Sequence, residues 1–187
     1  MSKMVLLRTT TLVIGGAASG KTGFAEKLSL DFGAKCLYIA TAEAFDDEMH
    51  EKIKVHKMNR ASASWNTKEA PYKLSEALLS SNQYNFDAVL IDCATMWLSN
   101  HFLRKSILHD EIKDLIESIK VCETNLIIVS NELGNGIVPE NKLAREFRNL
   151  HGKLNQELAH ESDIVVQIIA GIPVEIKGPI KRNTYAN

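Results

Sequence analysis

The sequence predicts an α/β fold in which a mostly parallel β-sheet carries helices on both faces and ends in a C-terminal antiparallel edge strand. The main observation is that short runs rich in Val, Ile and Leu alternate with segments of helical periodicity along the 187 residues. The runs are almost continuously apolar, as is typical of strands covered on both faces. Because helical segments separate the first five runs, their strands are expected to be parallel and joined by right-handed crossovers.

The individual elements follow from the same patterns. The predicted strands occupy residues 9–16, 35–41, 86–93, 125–133, 163–171 and 172–177. The last two runs are too close together for a crossover helix, so 172–177 is expected to be the antiparallel edge strand. The predicted helices occupy residues 20–32, 46–58, 71–81, 95–105, 109–122 and 139–160. One domain is expected to cover 1–187, with a loosely ordered polar tail at 178–187.

Composition limits the classes of partner. The chain has 22 Lys and Arg against 23 Asp and Glu, which argues against recognition of nucleic acid or a membrane surface through bulk charge. The N-terminal segment has no signal-peptide pattern, and no run reaches the roughly 18 apolar residues that a membrane span requires. We therefore expect a cytoplasmic protein. Its three cysteines are widely spaced and match neither a zinc site nor a disulfide framework.

Residues 15–22, GGAASGKT, match the phosphate-loop pattern G-x-x-x-x-G-K-[ST] between a predicted strand and a predicted helix. Main-chain N–H groups of such a loop cradle phosphates at the helix N-terminus. Lys21 is expected to neutralise the terminal phosphates, and Thr22 to offer its hydroxyl to Mg²⁺. The alternative is a purely structural glycine turn. The pattern favours a P-loop NTPase-like, RecA-like fold whose nucleotide site comprises Gly15, Gly16, Ala17, Ala18, Ser19, Gly20, Lys21 and Thr22.

Further polar residues stand where predicted strands end. Asp92 closes the run VLID and is expected to hold Mg²⁺ partly through water, the alternative being a buried cap. Gly15, Thr41, Asp92 and Glu132 should converge, because ligands of open α/β sheets bind beyond the carboxyl ends of the strands. Glu132 is a candidate base for a substrate hydroxyl, with capping of nearby N–H groups as an equal alternative. Residues 134–141 are expected to form a loop over the cleft, or a plain turn.

Other motifs and residues of the sequence exclude a class of protein or favour structural interpretations. The chain has no guanine-reading N-K-x-D string, since NTKE at 66–69 does not match, so a regulatory GTPase is disfavoured. Trp65 and Trp97 are interpreted as packing residues. Arg145 and Arg148 are either solvated or in contact with phosphate or a neighbouring subunit. Four histidines on helix faces or ends are interpreted as surface residues: His101, His109, His151 and His160.

Several longer motifs are similar to those of one enzyme family. They are LYIATAEAFDDEM (37–49), KIKVHKMNR (52–60), WNTKEAP (65–71), LIDCATMWLSN (90–100) and SNELGNGIVPENKLAREFRNLHGKLNQ (130–156). Together with the phosphate loop they resemble the bifunctional adenosylcobinamide kinase / adenosylcobinamide-phosphate guanylyltransferase family of cobalamin biosynthesis. The resemblance extends from about residue 11 to residue 177.

The resemblance implies a homotrimer that uses ATP or GTP to phosphorylate adenosylcobinamide. It then implies transfer of GMP from GTP to adenosylcobinamide phosphate through a guanylylated histidine, which maps to His56. Nucleotide contacts map to Thr41, Ala42, Glu43, Lys57, Met58, Asn59, Arg60 and Glu69. This sequence departs from the family at Ala18, where arginine is common, and at Lys52 and Ala61, which replace an arginine and a proline.

The surroundings of His56 suit a nucleophile, although a charged cluster taken alone indicates a solvated face. Attack on the α-phosphorus of GTP requires a neutral imidazole, and an ordinary histidine pKa near 6.5 makes it mostly neutral at cytoplasmic pH. Neighbouring lysines disfavour the imidazolium and offset charge on the leaving pyrophosphate. The alternatives are a small-molecule kinase without a histidine adduct and a nucleotide-gated binding module.

Overall fold

The structure is a computed structural model that describes residues 8–43 and 65–178. Its seven-stranded sheet has the order β3-β2-β4-β5-β1-β6-β7. The strands are β1 (Thr10–Gly15), β2 (Cys36–Ala40), β3 (Trp65–Glu69), β4 (Ala88–Asp92), β5 (Asn125–Asn131), β6 (Ile164–Ile169) and β7 (Ile172–Lys177). Adjacent strands are parallel, except that β7 pairs antiparallel with β6. The predicted parallel sheet and antiparallel edge strand are confirmed.

Helices cover both faces of the sheet, also as predicted. The described helices are α1 (Lys21–Phe32), α2 (Leu74–Ser81), α3 (Ala94–Arg104), α4 (Leu108–Lys120) and α5 (Lys142–Glu161). Side chains of α1 pack with Val13, Leu90 and Val129 on one face. Helices α2 to α5 pack with the alternate strand residues, such as Leu12 and Ile91, on the other face. Because both faces are covered, β4 and β5 are buried along most of their length, which explains their uninterrupted apolar sequence.

Helix starts differ from the sequence prediction by a few residues. Helix α2 begins at Leu74 rather than at Pro71. Helix α5 begins at Lys142 rather than at Pro139, because the Asn141 side chain caps it by accepting a hydrogen bond from the Ala144 N–H at 3.2 Å. Asparagine is among the strongest N-cap residues, so the cap sets the start. The predicted helix 46–58 lies outside the described residues.

Strand β3 was missed by the sequence prediction. Among the described strands it pairs only with β2, and four of its five residues, Asn66 to Glu69, are exposed. An edge strand of this kind needs no apolar run, since it borders one strand and faces solvent on most sides. Its place at the sheet edge brings Glu69 into register with Ala40, next to the carboxyl end of β2.

Helix α3 is hydrogen-bonded to the ends of several strands. Thr95, in its first turn, accepts a hydrogen bond from the N–H of Asn131 at 2.8 Å. One turn further, Asn100 donates to the carbonyls of Thr41 and Pro71 at 2.9 and 3.0 Å. Helix α3 thus links the carboxyl ends of β5, β2 and β3. In the described ranges, no helix is long and apolar enough to cross a bilayer.

Candidate active site

The phosphate loop joins β1 to α1 in the predicted place. A Cβ on Gly15 would lie 2.6 Å from the Ile168 carbonyl oxygen and 2.7 Å from Ser19 Oγ, so glycine is required there. Gly20 has a φ of 96°, which glycine adopts without strain. Ser19 Oγ is buried without a hydrogen-bond partner in the described residues. An unsatisfied buried hydroxyl costs free energy, so this loop is suited to a polar ligand.

Lys21 lies against this loop. It is only 8% exposed, and its ammonium donates to the Gly16 carbonyl at 2.7 Å. Burial lowers the pKa of Lys21, while the nearby Cys93 and Asp92 side chains act in the opposite direction. A partly desolvated cation interacts more strongly with phosphate than a hydrated one does. The side chain is therefore placed to neutralise an anion in the loop.

Asp92 and Thr22 form the candidate magnesium site. The Thr22 hydroxyl donates to Asp92 Oδ2 at 2.9 Å, and the Tyr38 hydroxyl donates to the same oxygen at 2.7 Å. Mg²⁺ prefers oxygen ligands and is often bound by one or two protein groups together with substrate phosphates and water. Thr22 and Asp92 fit this requirement by chemistry and by proximity. The described residues contain no cluster of three or more His, Cys, Asp or Glu that could hold a metal by itself.

Tyr38 is a site residue that the sequence analysis missed. It is 4% exposed, and its ring meets Trp65 edge to face at a centroid distance of 6.0 Å. The only sequence signal was a hydroxyl-bearing residue inside an apolar strand, where a buried polar group needs a partner. That partner, Asp92, is 54 positions away along the chain.

The four predicted strand-end residues lie along the carboxyl edge as two hydrogen-bonded pairs. The N–H of Thr41 donates to the Asp92 carbonyl at 3.1 Å, and the N–H of Glu132 donates to the Gly15 carbonyl at 2.8 Å. The Thr41 hydroxyl both donates to the Cys93 carbonyl and accepts from the Cys93 N–H, each at 2.7 Å. Thr41 is fully buried, so its hydroxyl anchors the chain beside Asp92.

Glu43 is tied to two other side chains at the rim of this edge. The Tyr72 hydroxyl donates to its carboxylate, and Arg104 pairs with it at 3.2 Å. The Arg104 guanidinium also lies over the Tyr72 ring, 3.8 Å from the centroid. Ala42 is partly exposed next to this group, and Glu69 is exposed at the end of β3. Neither Tyr72 nor Arg104 was singled out from the sequence.

The Glu132 carboxylate accepts a hydrogen bond from the N–H of Gly134. This is the geometry of the capping alternative. The Arg145 side chain is likewise hydrogen-bonded to the loop that precedes α5: its guanidinium donates to the carbonyls of Pro139 and Glu140 at 2.9 and 2.5 Å. Trp97 is fully buried, which confirms that it is a packing residue.

Two of the four histidines interpreted as surface residues are buried, so that interpretation is wrong for them. His101 is 3% exposed and His151 is 1% exposed, whereas His109 and His160 are exposed. The His101 ring lies against the rings of Tyr72 and Trp97, at centroid distances of 5.5 and 5.0 Å, whereas the His151 ring lies 6.0 Å from the ring of Phe147. His151 follows Phe147 by four residues and therefore belongs to the apolar side of α5, a spacing visible in the sequence.

His151 belongs to a buried polar cluster. Its Nε2 lies 3.0 Å from Thr95 Oγ1 and 3.2 Å from Ser130 Oγ. Burial lowers the pKa of His151, and Glu132 acts in the opposite direction with a smaller effect. His56, Lys57, Met58, Asn59 and Arg60, for which sequence and resemblance predict a role in GMP transfer, lie outside the described residues.

A glycine-rich loop between a parallel strand and a helix, with a lysine inside it and a hydroxyl–carboxylate pair beside it, defines a phosphate-loop nucleotide-binding protein. Similarity to the crystal structure of the RadB recombinase supports this fold, with a TM-score of 0.51 at 17% identity over 85% of this chain and 73% of that one. The chain belongs to the cobinamide kinase / cobinamide phosphate guanyltransferase family, whose model matches residues 11–176.

Curated relatives cover most of the chain. The bifunctional adenosylcobalamin biosynthesis protein CobU of Salmonella typhimurium is 38% identical in an alignment of 181 residues that covers 89% of this chain and 98% of that protein. The bifunctional adenosylcobalamin biosynthesis protein CobP of Pseudomonas aeruginosa is 38% identical in an alignment of 169 residues that covers 89% of this chain and 96% of that protein. The family resemblance inferred from the sequence motifs is confirmed.

Proposed function

We propose that this protein phosphorylates adenosylcobinamide with ATP or GTP and then transfers GMP from GTP to adenosylcobinamide phosphate. The products of the second reaction are adenosylcobinamide-GDP and pyrophosphate. The observation that carries the proposal is the family match over residues 11–176, which includes both the phosphate loop and the histidine segment. The geometry of Lys21, Thr22 and Asp92 supports it independently.

For the phosphorylation step, the protein needs to position the reactants and stabilise charge. Main-chain N–H groups of the loop hold the phosphates, and Lys21 offsets the negative charge that develops on them. Thr22 and Asp92 would hold Mg²⁺, which would supply positive charge to offset that of the phosphate oxygens. The Tyr38 hydroxyl donates to the same Asp92 oxygen as Thr22 and so helps to fix the carboxylate. Glu132 remains a candidate base for the cobinamide hydroxyl.

For GMP transfer, the neutral His56 imidazole attacks the α-phosphorus of GTP and pyrophosphate leaves. A phosphate oxygen of adenosylcobinamide phosphate then displaces the histidine and takes the GMP group. Two displacements replace one difficult step, as in other covalent mechanisms. The proposal further includes nucleotide contacts from Ala42, Glu43, Glu69 and residues 57–60, assembly as a homotrimer, and a cytoplasmic location. These parts rest on the sequence and on the family.

The test is incubation with Mg²⁺ and GTP labelled at the α-phosphate, followed by mapping of the acid-labile label. We expect the label on the peptide that contains His56 and none when the label is on the γ-phosphate. His56→Ala should abolish GMP transfer and retain phosphorylation, whereas Lys21→Ala should abolish phosphorylation. The predicted helix 46–58 contains one other histidine, His50, so His50→Ala serves as the matched control and should keep the label.

Each alternative gives a different result. A kinase without the transferase step would phosphorylate cobinamide but release no pyrophosphate in the presence of cobinamide phosphate. A binding module would take up GTP and show neither reaction. A label that persists in His56→Ala would contradict the histidine mechanism.

A further inference from the structure

Strand β5 extends beyond its neighbour β4 at the carboxyl edge of the sheet. The last pair between them is Asp92 with Val129, and β5 continues through Ser130 to Asn131. On its other side, Asn131 is paired with Gly15, the first residue of the phosphate loop. The N–H and C=O of Asn131 that point towards β4 therefore have no partner in any strand that the structure describes.

Side chains from two helices take the place of that strand. The Asn131 N–H donates to Thr95 Oγ1 of α3 at 2.8 Å, and its C=O accepts from Asn155 Nδ2 of α5 at 3.0 Å. The Ser130 hydroxyl in turn donates to Asn155 Oδ1 at 2.6 Å. Thr95 and Ser130 are 5% and 0% exposed, so these bonds are shielded from water. The main chain of Asn131 is held in place from both sides of the strand.

The direction of the Asn131 side chain follows from the alternation of side chains along β5. Leu126 and Ile128 pack with helices α2 to α5, and Ser130 contacts α5 on that same face. Ile127 and Val129 pack on the α1 face. Asn131 therefore extends to the α1 face, where Asp92 meets Thr22. It lies one strand spacing from Gly15, about 4.8 Å.

The amide of Asn131 has no hydrogen-bond partner in the described residues and is partly exposed. The carboxylate of the neighbouring Glu132, in contrast, accepts a hydrogen bond from the Gly134 N–H. A neutral amide can donate to a phosphate oxygen without the repulsion that a carboxylate would add. Hydrogen bonds with one charged partner are also stronger than neutral ones.

We propose that Asn131 contacts the nucleotide, and that its side-chain amide donates to the terminal phosphate of a nucleoside triphosphate held by the phosphate loop. This inference rests on the proposed function. It adds Asn131, the last residue of β5, to the residues that bind the triphosphate. It explains why two helices supply side chains to fix the main chain at this one position. A contact to the last phosphate distinguishes a triphosphate from a diphosphate.

The test compares the dissociation constants of GTP and GDP, with Mg²⁺, by calorimetry in a His56→Ala background that prevents GMP transfer. We expect Asn131→Ala to weaken GTP binding by about tenfold and GDP binding by less than about twofold, the size expected for one hydrogen bond to a charged group. Asn131→Asp should weaken GTP binding further, because it places a negative charge beside the phosphate.

Asn125→Ala is the matched control. Asn125 anchors the opposite end of β5, accepting from the Thr9 N–H and donating to the Asp87 carbonyl, so its removal tests general loosening of the strand. We expect it to leave the ratio of the two constants unchanged. The inference would be overturned if Asn131→Ala kept the parent's ratio of the GTP and GDP dissociation constants, that is, if it lost affinity for both nucleotides equally or for neither. Tight GTP binding by Lys21→Ala would overturn the proposed nucleotide site together with it.

Discussion

At the residue scale, most of the described site consists of polar side chains whose partners are distant in sequence. Asp92 receives hydrogen bonds from Thr22 and Tyr38, which are 70 and 54 positions away. The loop residues could be predicted, because a glycine pattern is local. Tyr38 could not, because a tyrosine in an apolar strand is ordinarily a packing residue and its partner depends on strand order.

Tyr38→Phe should lower the rate of cobinamide phosphorylation. The variant keeps the ring against Trp65 but removes one donor to Asp92, so the carboxylate loses orientation. A net hydrogen-bond contribution of about 1 kcal/mol predicts a loss in kcat of roughly fivefold. Steady-state kinetics at several Mg²⁺ concentrations would measure it, with the exposed Tyr84→Phe as control. An unchanged kcat would show that Tyr38 has no part in positioning Asp92.

His151 should make stability depend on pH. Burial lowers its pKa in the folded state, so below the unfolded-state pKa, about 6.5, the unfolded chain binds more protons. The free energy of unfolding should therefore fall as the pH decreases below about 6.5, although Glu132, the charged group that opposes the shift, reduces the effect. His151→Gln should remove this part of the slope.

Urea unfolding between pH 8 and pH 5.5 would measure this dependence. The stability advantage of the parent over His151→Gln should be greatest at pH 8 and should narrow on acidification. The exposed His160→Gln provides the control. If the difference in the free energy of unfolding between the parent and His151→Gln widened on acidification, the assignment of a buried neutral imidazole would be contradicted.

At the element scale, the structure shows why some elements were predictable and one was not. The central strands β4 and β5 are buried on both faces, and burial requires the apolar runs by which they were recognised. Strand β3 has one neighbour in the part of the chain that the structure describes, and its residues are mostly exposed, so nothing in WNTKE distinguishes it from a loop. Its existence depends on pairing with β2, which is a tertiary contact.

Helix α3 should contribute stability through Asn100. This side chain is 1% exposed and donates to two main-chain carbonyls, of Thr41 and Pro71. Asn100→Ala leaves both acceptors without that donor, so we expect the free energy of unfolding to fall by about 2–4 kcal/mol. Denaturant unfolding would measure this. Asn149→Ala, on the exposed side of α5, should change stability by less than about 0.5 kcal/mol, and equal effects would contradict the role given to α3.

At the scale of the whole molecule, the parallel sheet gathers residues from distant segments at one edge. Gly15 and Asn131, Thr41 and Asp92 meet there because neighbouring strands run in the same direction. Sequence reasoning predicted this convergence from strand ends alone. Sequence reasoning could not predict which polar side chains form hydrogen bonds within the protein and which are available to bind a ligand.

Nucleotide binding should stabilise the whole fold. A ligand present at one hundred times its dissociation constant adds about 2.7 kcal/mol, which corresponds to a rise in Tm of about 5–10 °C for a chain of this size. Thermal unfolding with GTP and Mg²⁺ would measure it. Lys21→Ala should lose the rise, while Lys27→Ala, exposed on the same helix, should keep it. An equal rise in both variants would contradict the loop as the binding site.

The sequence by itself determined the strand–helix alternation, the phosphate loop, the antiparallel edge strand and the family, because these are encoded in local patterns. Only the tertiary structure decided that β3 pairs at the edge, that His101 and His151 are buried, and that Tyr38 meets Asp92. The same holds for Asn131, whose main chain is fixed by two helices while its side-chain amide has no hydrogen-bond partner among the residues that the structure describes. The physical reason is that burial and hydrogen bonding of polar groups depend on which segments pack together, and packing is not recorded in any short stretch of sequence.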